Sequence, residues 1–266
     1  MLRKILSFLL LLCLLAPLAA AQDTPLRGYD PESRTYQYVS FGVYPTDAEG
    51  SAAPVVWRVL GPGLPGEGDV VNASNLPPKD EPKTANEDSD TGDVFCLMSE
   101  HILDMVFYHD VRDPAEGPAL DYVDTMMHAA MNGEIIDRIF TKEQQAVLVE
   151  MPERGLLGLP TRKGELYRTD YGFVAEEFVE LPRRATTGTP YAYARGLKKI
   201  GGRSWYWTAD WRAPGRRWIV GDNGHISVSG VDREGGIRPV CYIHLDQLSI
   251  TGGEGTYASP YILEVK

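Results

Sequence analysis

RTYQYVSFGVYPTDAEGSAAPVVWRVL, residues 34–60, spells two strands and the turn between them. Over residues 34–44, Gln37, Val39, Phe41 and Val43 fall on one side of an extended chain and Tyr36, Tyr38 and Ser40 on the other, the period-two signature of a strand. Pro45, Asp47 and Gly50 supply the turn. Val55, Trp57 and Val59 then share one face of a second strand, which Gly61, Pro62 and Gly63 end.

Upstream, the first 21 residues read as a cleavable secretory signal. Arg3 and Lys4 form the positive start, residues 5–18 are almost wholly apolar, and Ala19, Ala20 and Ala21 are the small residues a signal peptidase needs. The apolar run is short for a membrane span. Cys13 follows Leu12, where a lipobox has a small residue, so a lipidated start is the less favoured alternative, beside an uncleaved anchor. The expected location is therefore secreted or periplasmic, with no membrane span after cleavage. Residues 22–33 are a polar lead-in, and 34–266 read as a single globular domain.

The chain has 26 Lys and Arg against 37 Asp and Glu, a net of −11; the leader removes Arg3 and Lys4, which brings it to −13. Such a charge disfavours nucleic acid and anionic membrane surfaces as partners. Residues 67–93 have little to bury and read as a surface loop. That loop carries the sequon Asn72, Ala73, Ser74 and the acids Asp88, Asp90 and Asp93, which lack the spacing of a calcium loop.

Val94–Met98 is the next strand, and Ser99 reads as the cap of a short helix reaching Phe107. Pro118 opens a longer helix with Leu120, Val123, Met127 and Met131 as its buried stripe and Asn132–Gly133 as its end. Thr141 with Gln144 has capping-box spacing and starts another helix. Strands at 147–150 and 172–175 are expected to pair. Residues 183–201 form a basic stretch holding Arg183, Arg184, Arg195, Lys198 and Lys199. Further strands follow at Trp205–Trp207, Trp218–Val220, His225–Val228 and Pro239–Leu245. Cys96 and Cys241, each inside an apolar run, are either a buried reduced pair or a disulfide, which an oxidising compartment would permit.

Chemical motifs are sparse. The five histidines have no metal-ligand spacing, and neither a nucleophile elbow nor a phosphate loop occurs, so no catalytic residue, metal or cofactor is assigned. Glu100 and Asp104 stand i,i+4 on the expected short helix without a cleft to work in. The favoured reading is a non-catalytic extracytoplasmic binding module for a glycan or an envelope protein. The alternatives are a hydrolase on the same scaffold and a structural envelope component. Trp205, Tyr206, Trp211 and Arg195 are the binding candidates, as aromatics with a nearby cation.

In their order these segments resemble a bacterial family catalogued as domain of unknown function 6273. Its "FGxYPQ" and "WRVL" strands are matched by Phe41, Gly42, Tyr44, Pro45 and by Trp57–Leu60. Its "LLSExxLD" is matched by Leu97, Ser99, Glu100, Leu103 and Asp104. The helix "WxxSxxRxWLNxxF" reads here as Tyr122, Thr125, His128, Ala130, Met131 and Asn132, with His128 for the arginine and Ala130 for the second tryptophan. Phe140, Thr141, Gln144 and Leu148 resemble "FTxxEQxxI", and Asp170, Phe173 and Glu177 resemble "DxxFLLSxxE". Thr189, Tyr191 and Ala192 stand for "PTxYA", Trp205–Trp207 for "WWLRS", and Gly236–Val240 for "GVRPA". The resemblance spans about 38–246. It implies an α+β fold of twisted antiparallel strands with two or three packed helices, similar to the C-type-lectin-like fold of formylglycine-generating enzymes, in which first and last strands often lie side by side. Those enzymes use a cysteine pair near the C-terminus; this chain has Cys241 alone there, so their activity is not implied.

Overall fold

In the computed structural model, residues 26–30, 35–62, 94–109, 121–162, 164–166 and 184–266 are described. The leader, the 67–93 loop, Pro118 and the expected strand at 172–175 lie outside the described residues. The fold is α+β, two mixed and mostly antiparallel sheets with a few short helices.

The chain begins with a small ladder, β1 (Tyr29–Asp30) against β2 (Thr35–Tyr36). Next come β3 (Tyr38–Pro45), β4 (Ala52–Pro62), β5 (Val94–Ser99), β6 (Asp104–Phe107) and β7 (Leu148–Val149). The C-terminal third adds β8 (Tyr206–Ala213), β9 (Arg216–Val220), β10 (Ile226–Gly230), β11 (Glu234–Ile237), β12 (Val240–His244), β13 (Leu248–Gly252) and β14 (Tyr261–Val265). Seven of these form one sheet in the order β13-β14-β3-β4-β5-β12-β7, and five form the other in the order β10-β9-β8-β11-β6. β14 runs parallel to β3, with Tyr261 opposite Val39, so the last strand lies beside the first long one.

The opening hairpin forms as its alternation requires, up to Gly42. Val39, Phe41, Val55, Trp57 and Val59 enter one apolar core, and the Trp57 indole donates to the Phe41 carbonyl at 2.7 Å. The expected face then breaks. Val43 is 48% exposed and Tyr44 goes inward instead, because Gly42 has φ +71° at a register shift between Ser40 and Val43. The extra residue of a bulge inverts the alternation beyond it. A Cβ on Gly42 would also lie 2.6 Å from the Ile139 carbonyl, so the same glycine admits the helix end.

Helix α1 (Met126–Ala130) runs through a π turn (Met131–Ile135) into α2 (Ile136–Ile139), and α3 (Lys142–Gln145) follows. Met127 and Met131 are buried as the helical period predicts, whereas Val123 is exposed. Gly133 does not end the helix: the wide turn carries it onward to Ile139. Thr141 and Gln144 form the expected capping box, Gln144 N–H donating to Thr141 Oγ1 at 3.2 Å and Thr141 N–H to Gln144 Oε1 at 3.1 Å. The last helix, α4 (Pro190–Ala194), starts at Thr189 with proline at its first turn.

One expectation is corrected. The segment from Ser99 to Phe107 is not a helix: Ser99 ends β5, and Asp104–Phe107 pairs with β11. β7 pairs with β12. Of the two readings of the cysteines, the reduced pair holds: Cys96 and Cys241 are buried and are not joined by a disulfide. In the β5–β12 ladder Cys241 stands opposite Leu97 and Tyr242 opposite Cys96. Directly opposed residues share a face, so the two sulfurs project from opposite sides of the sheet and lie in different apolar cores.

Those two cores sandwich the seven-stranded sheet. One joins Phe41, Trp57, Leu97 and Ile243 to the helical Met127, Met131 and Ile139. The other joins Tyr38, Cys96, Met98 and Tyr242 to Ile102, Ala192 and Tyr206. No helix among the described residues is long and apolar enough to cross a membrane.

Candidate functional site: a groove between the helices and the 150–156 turn

A groove of about 740 Å³ runs between the helical segment and the turn that follows β7. Val123, His128, Asn132, Asp137 and Lys142 line the helical wall, and Glu150, Pro152, Glu153 and Leu156 line the opposite one. Asn132 holds the two walls together. Its amide nitrogen lies 3.0 Å from the carbonyls of Arg154 and Leu157, and its Oδ1 accepts from Leu157 N–H at 3.1 Å. Gly155, with φ +76°, must be glycine beneath it, since a Cβ there would lie 2.4 Å from Asn132 Oδ1.

The rim carries a backbone anomaly. Arg154 N–H donates to the Met151 carbonyl at 3.1 Å, closing a four-residue turn with Pro152 at its second position and Glu153 at its third. Glu153 has φ 59°, the left-handed region, and is the one non-glycine with positive φ among the described residues. A proline-led turn with positive φ at the third position is type II, which favours glycine or asparagine there. A glutamate in that place is held at a local cost.

Electrostatics divide the groove. Asp137 is answered by Lys142 Nζ at 2.6 Å and by the Gln145 amide at 2.9 Å, and the Lys142 hydrogen bond holds its carboxyl below the ordinary range. Burial pushes His128 below its usual value, so the imidazole is neutral at pH 7. Arg154 is paired with buried Glu165 at 2.8 Å. Glu150 and Glu153 have no cation partner among the described residues, which leaves two carboxylates for a ligand. Carboxylates and a neutral imidazole beside apolar Val123, Pro152 and Leu156 suit a molecule with both hydroxyls and C–H faces.

The residues nominated from sequence do not gather here, nor with one another. Tyr206 is fully buried, its hydroxyl 3.2 Å from an Arg238 guanidinium nitrogen. Trp205 packs edge-to-face on Trp207 at 4.8 Å, over Gly235 where a Cβ would collide with its ring. Trp211 is exposed near the end of β8. Arg195 donates to buried Asp104 at 2.7 Å, beside the Tyr44 hydroxyl, which donates to the same carboxylate at 2.7 Å. The basic stretch 183–201 divides likewise: Arg184 goes to Glu100 and Arg195 to Asp104.

Glu100 and Asp104 thus serve separate clusters and are no acid pair. Residues of the family-like motifs converge on Glu100. Arg58 Nε reaches it at 2.8 Å, Arg184 Nε at 2.7 Å and an Arg238 nitrogen lies at 3.8 Å, while Arg238 Nε donates to the Ser99 carbonyl at 2.6 Å. Burial raises the Glu100 carboxyl, but Arg58 and the other guanidiniums bring it below the ordinary range. Tyr257 closes this cluster from outside. Arg184 lies over its ring at 4.5 Å, and its hydroxyl meets His101 Nε2 at 2.8 Å. The other His101 nitrogen faces the Arg184 carbonyl at 3.2 Å, so Nδ1 carries the proton and Tyr257 donates.

Sequence reasoning missed Glu150, Glu153 and the groove role of His128. Pro152 and Gly155 signalled a turn, but no local signal showed that it would fold back on the helix carrying Asn132, 22 residues before Arg154. Comparison with models of known families, with curated proteins and with solved structures returns no match. The family resemblance therefore rests on its motifs and their order.

Proposed function

We propose that the protein is a non-catalytic extracytoplasmic binding module, lectin-like in layout, that holds a glycan in the groove between the helices and the 150–156 turn. The observation that carries this reading is Glu153, a charged residue kept at a glycine position on the groove rim. Strain retained where glycine would relieve it points to use of the side chain. Carboxylates that accept from sugar hydroxyls, with apolar rim residues against ring C–H faces, are the contacts such a ligand needs. The export expected from the leader would place the site where envelope glycans occur.

The test is titration with a panel of neutral and amino-sugar oligosaccharides. Saturable binding is expected, and Glu153→Gly should weaken it by about tenfold, the loss of one charge-assisted hydrogen bond. The same change should stabilise the fold by up to about 1 kcal/mol, because glycine adopts the left-handed region without steric cost. Absence of saturable binding across the panel overturns the proposal, and so does full affinity in the variant.

A further inference from the structure

Residues 211–218 of the β8–β9 hairpin read WRAPGRRW, a basic and aromatic stretch in a chain of net charge −11. Its arginines are used unequally. Arg217 turns inward over the Tyr108 ring at 5.3 Å. Arg212 instead lies 5.2 Å from the Trp218 ring centre, and Arg162, from a distant segment, lies 4.1 Å from the same ring. Arg162, Arg212 and Arg216 make no ion pair among the described residues, and Arg162 Nε is buried without an acceptor. The neighbouring carboxylate, Asp210, is occupied by Arg162 backbone N–H at 2.7 Å rather than by a guanidinium.

The backbone supports this arrangement. Trp211 stands opposite Arg217 and Ala213 opposite Arg216, so Arg212 is the extra residue of a bulge. Bulges re-aim side chains and recur beside binding sites. A guanidinium on an indole keeps its donor edge available, since the ring engages only its face. Trp211, 47% exposed, stands opposite Arg217 and so lies on the other face of the hairpin from Trp218.

We propose that this hairpin is a second site, separate from the groove, for the carboxylates of an acidic polysaccharide. Arg212, Arg216 and Arg162 pair with uronate groups through their N–H forks. Sparse charge on the ligand matters. A dense polyanion such as nucleic acid is repelled by the negative protein as a whole. An anionic lipid surface fits less well, because Trp211 is the lone large apolar side chain exposed on the hairpin.

The experiment measures binding of oligosaccharides in which uronate alternates with a neutral sugar to the full chain, by calorimetry and by tryptophan fluorescence, at low and high salt. Salt-sensitive saturable binding is expected. The pair Arg212→Ala with Arg216→Ala should weaken it by at least about tenfold with an unchanged circular dichroism spectrum. Replacing both by lysine should restore only part, because the charge returns without the fork. Glu153→Gly should leave this binding unchanged, so failure of the groove reading and failure of this one are separate results. The proposal is overturned if the wild-type chain does not bind, if a neutral oligosaccharide of equal length binds as tightly and loses as much in the alanine pair, or if anionic vesicles bind more tightly than the uronate oligosaccharide.

Discussion

Glu165 shows how one side chain sets a pH limit. It is buried against Arg154 at 2.8 Å and accepts from the Tyr242 hydroxyl at 2.8 Å and Thr161 N–H at 2.9 Å. Burial alone would raise its carboxyl, but Arg154 and these donors bring it from 4.5 down to about 2. A carboxyl depressed in the folded state contributes its stability above the unfolded value and loses it as pH falls through the folded one. The shift corresponds to about 3 kcal/mol at neutral pH. Denaturant titrations between pH 7 and pH 2 should therefore show falling stability below about pH 4.5. Glu165→Gln should be less stable at pH 7 by about 3 kcal/mol and should lose correspondingly less on acidification. An equal loss in both proteins would show that the pair does not set the acid limit. None of this was legible in sequence, because Arg154 and Glu165 carry no motif and meet only through tertiary packing.

Elements were legible where their signal is local. The capping box at Thr141, the Met127–Met131 stripe and the alternation of β3 up to Gly42 all depend on neighbours within a few residues. The failures are physical in a consistent way. Ser99 to Phe107 has a plausible helical pattern, yet Asp104–Phe107 meets β11, whose partner residues lie far along the chain. Propensity yields there to a ladder that the local sequence does not record. Asn132 belongs at this scale, since it joins the helix to the turn. Asn132→Ala should cost about 2 kcal/mol in chemical denaturation, because several buried backbone groups lose their partner together. Asn132→Asp should cost more, since a carboxylate would face the carbonyls of Arg154 and Leu157 where an N–H₂ now donates. Equal or smaller losses in the aspartate variant would contradict this account of the groove wall.

At the scale of the whole molecule, the two cores explain the state of the cysteines. Thiols on opposite faces of a sheet cannot bridge without turning a strand over. Burial also pushes the Cys241 thiol well above its usual value, which leaves little thiolate to react. Oxidising conditions should therefore yield no internal disulfide. A thiol reagent should find neither residue in the native protein, and should find both after denaturation without reductant. Slow loss of the thiols under mild oxidant would argue against this packing. The sequence placed each cysteine in an apolar strand but left both states open, because the register that separates their faces is not written locally.

The parallel pairing of Tyr261–Val265 with β3 has a kinetic consequence. The edge of β3 stays open until a segment made much later arrives to cover it, and contacts of such long sequence separation form slowly. Until then the seven-stranded sheet lacks both β14 and β13, the edge strand that pairs only with β14.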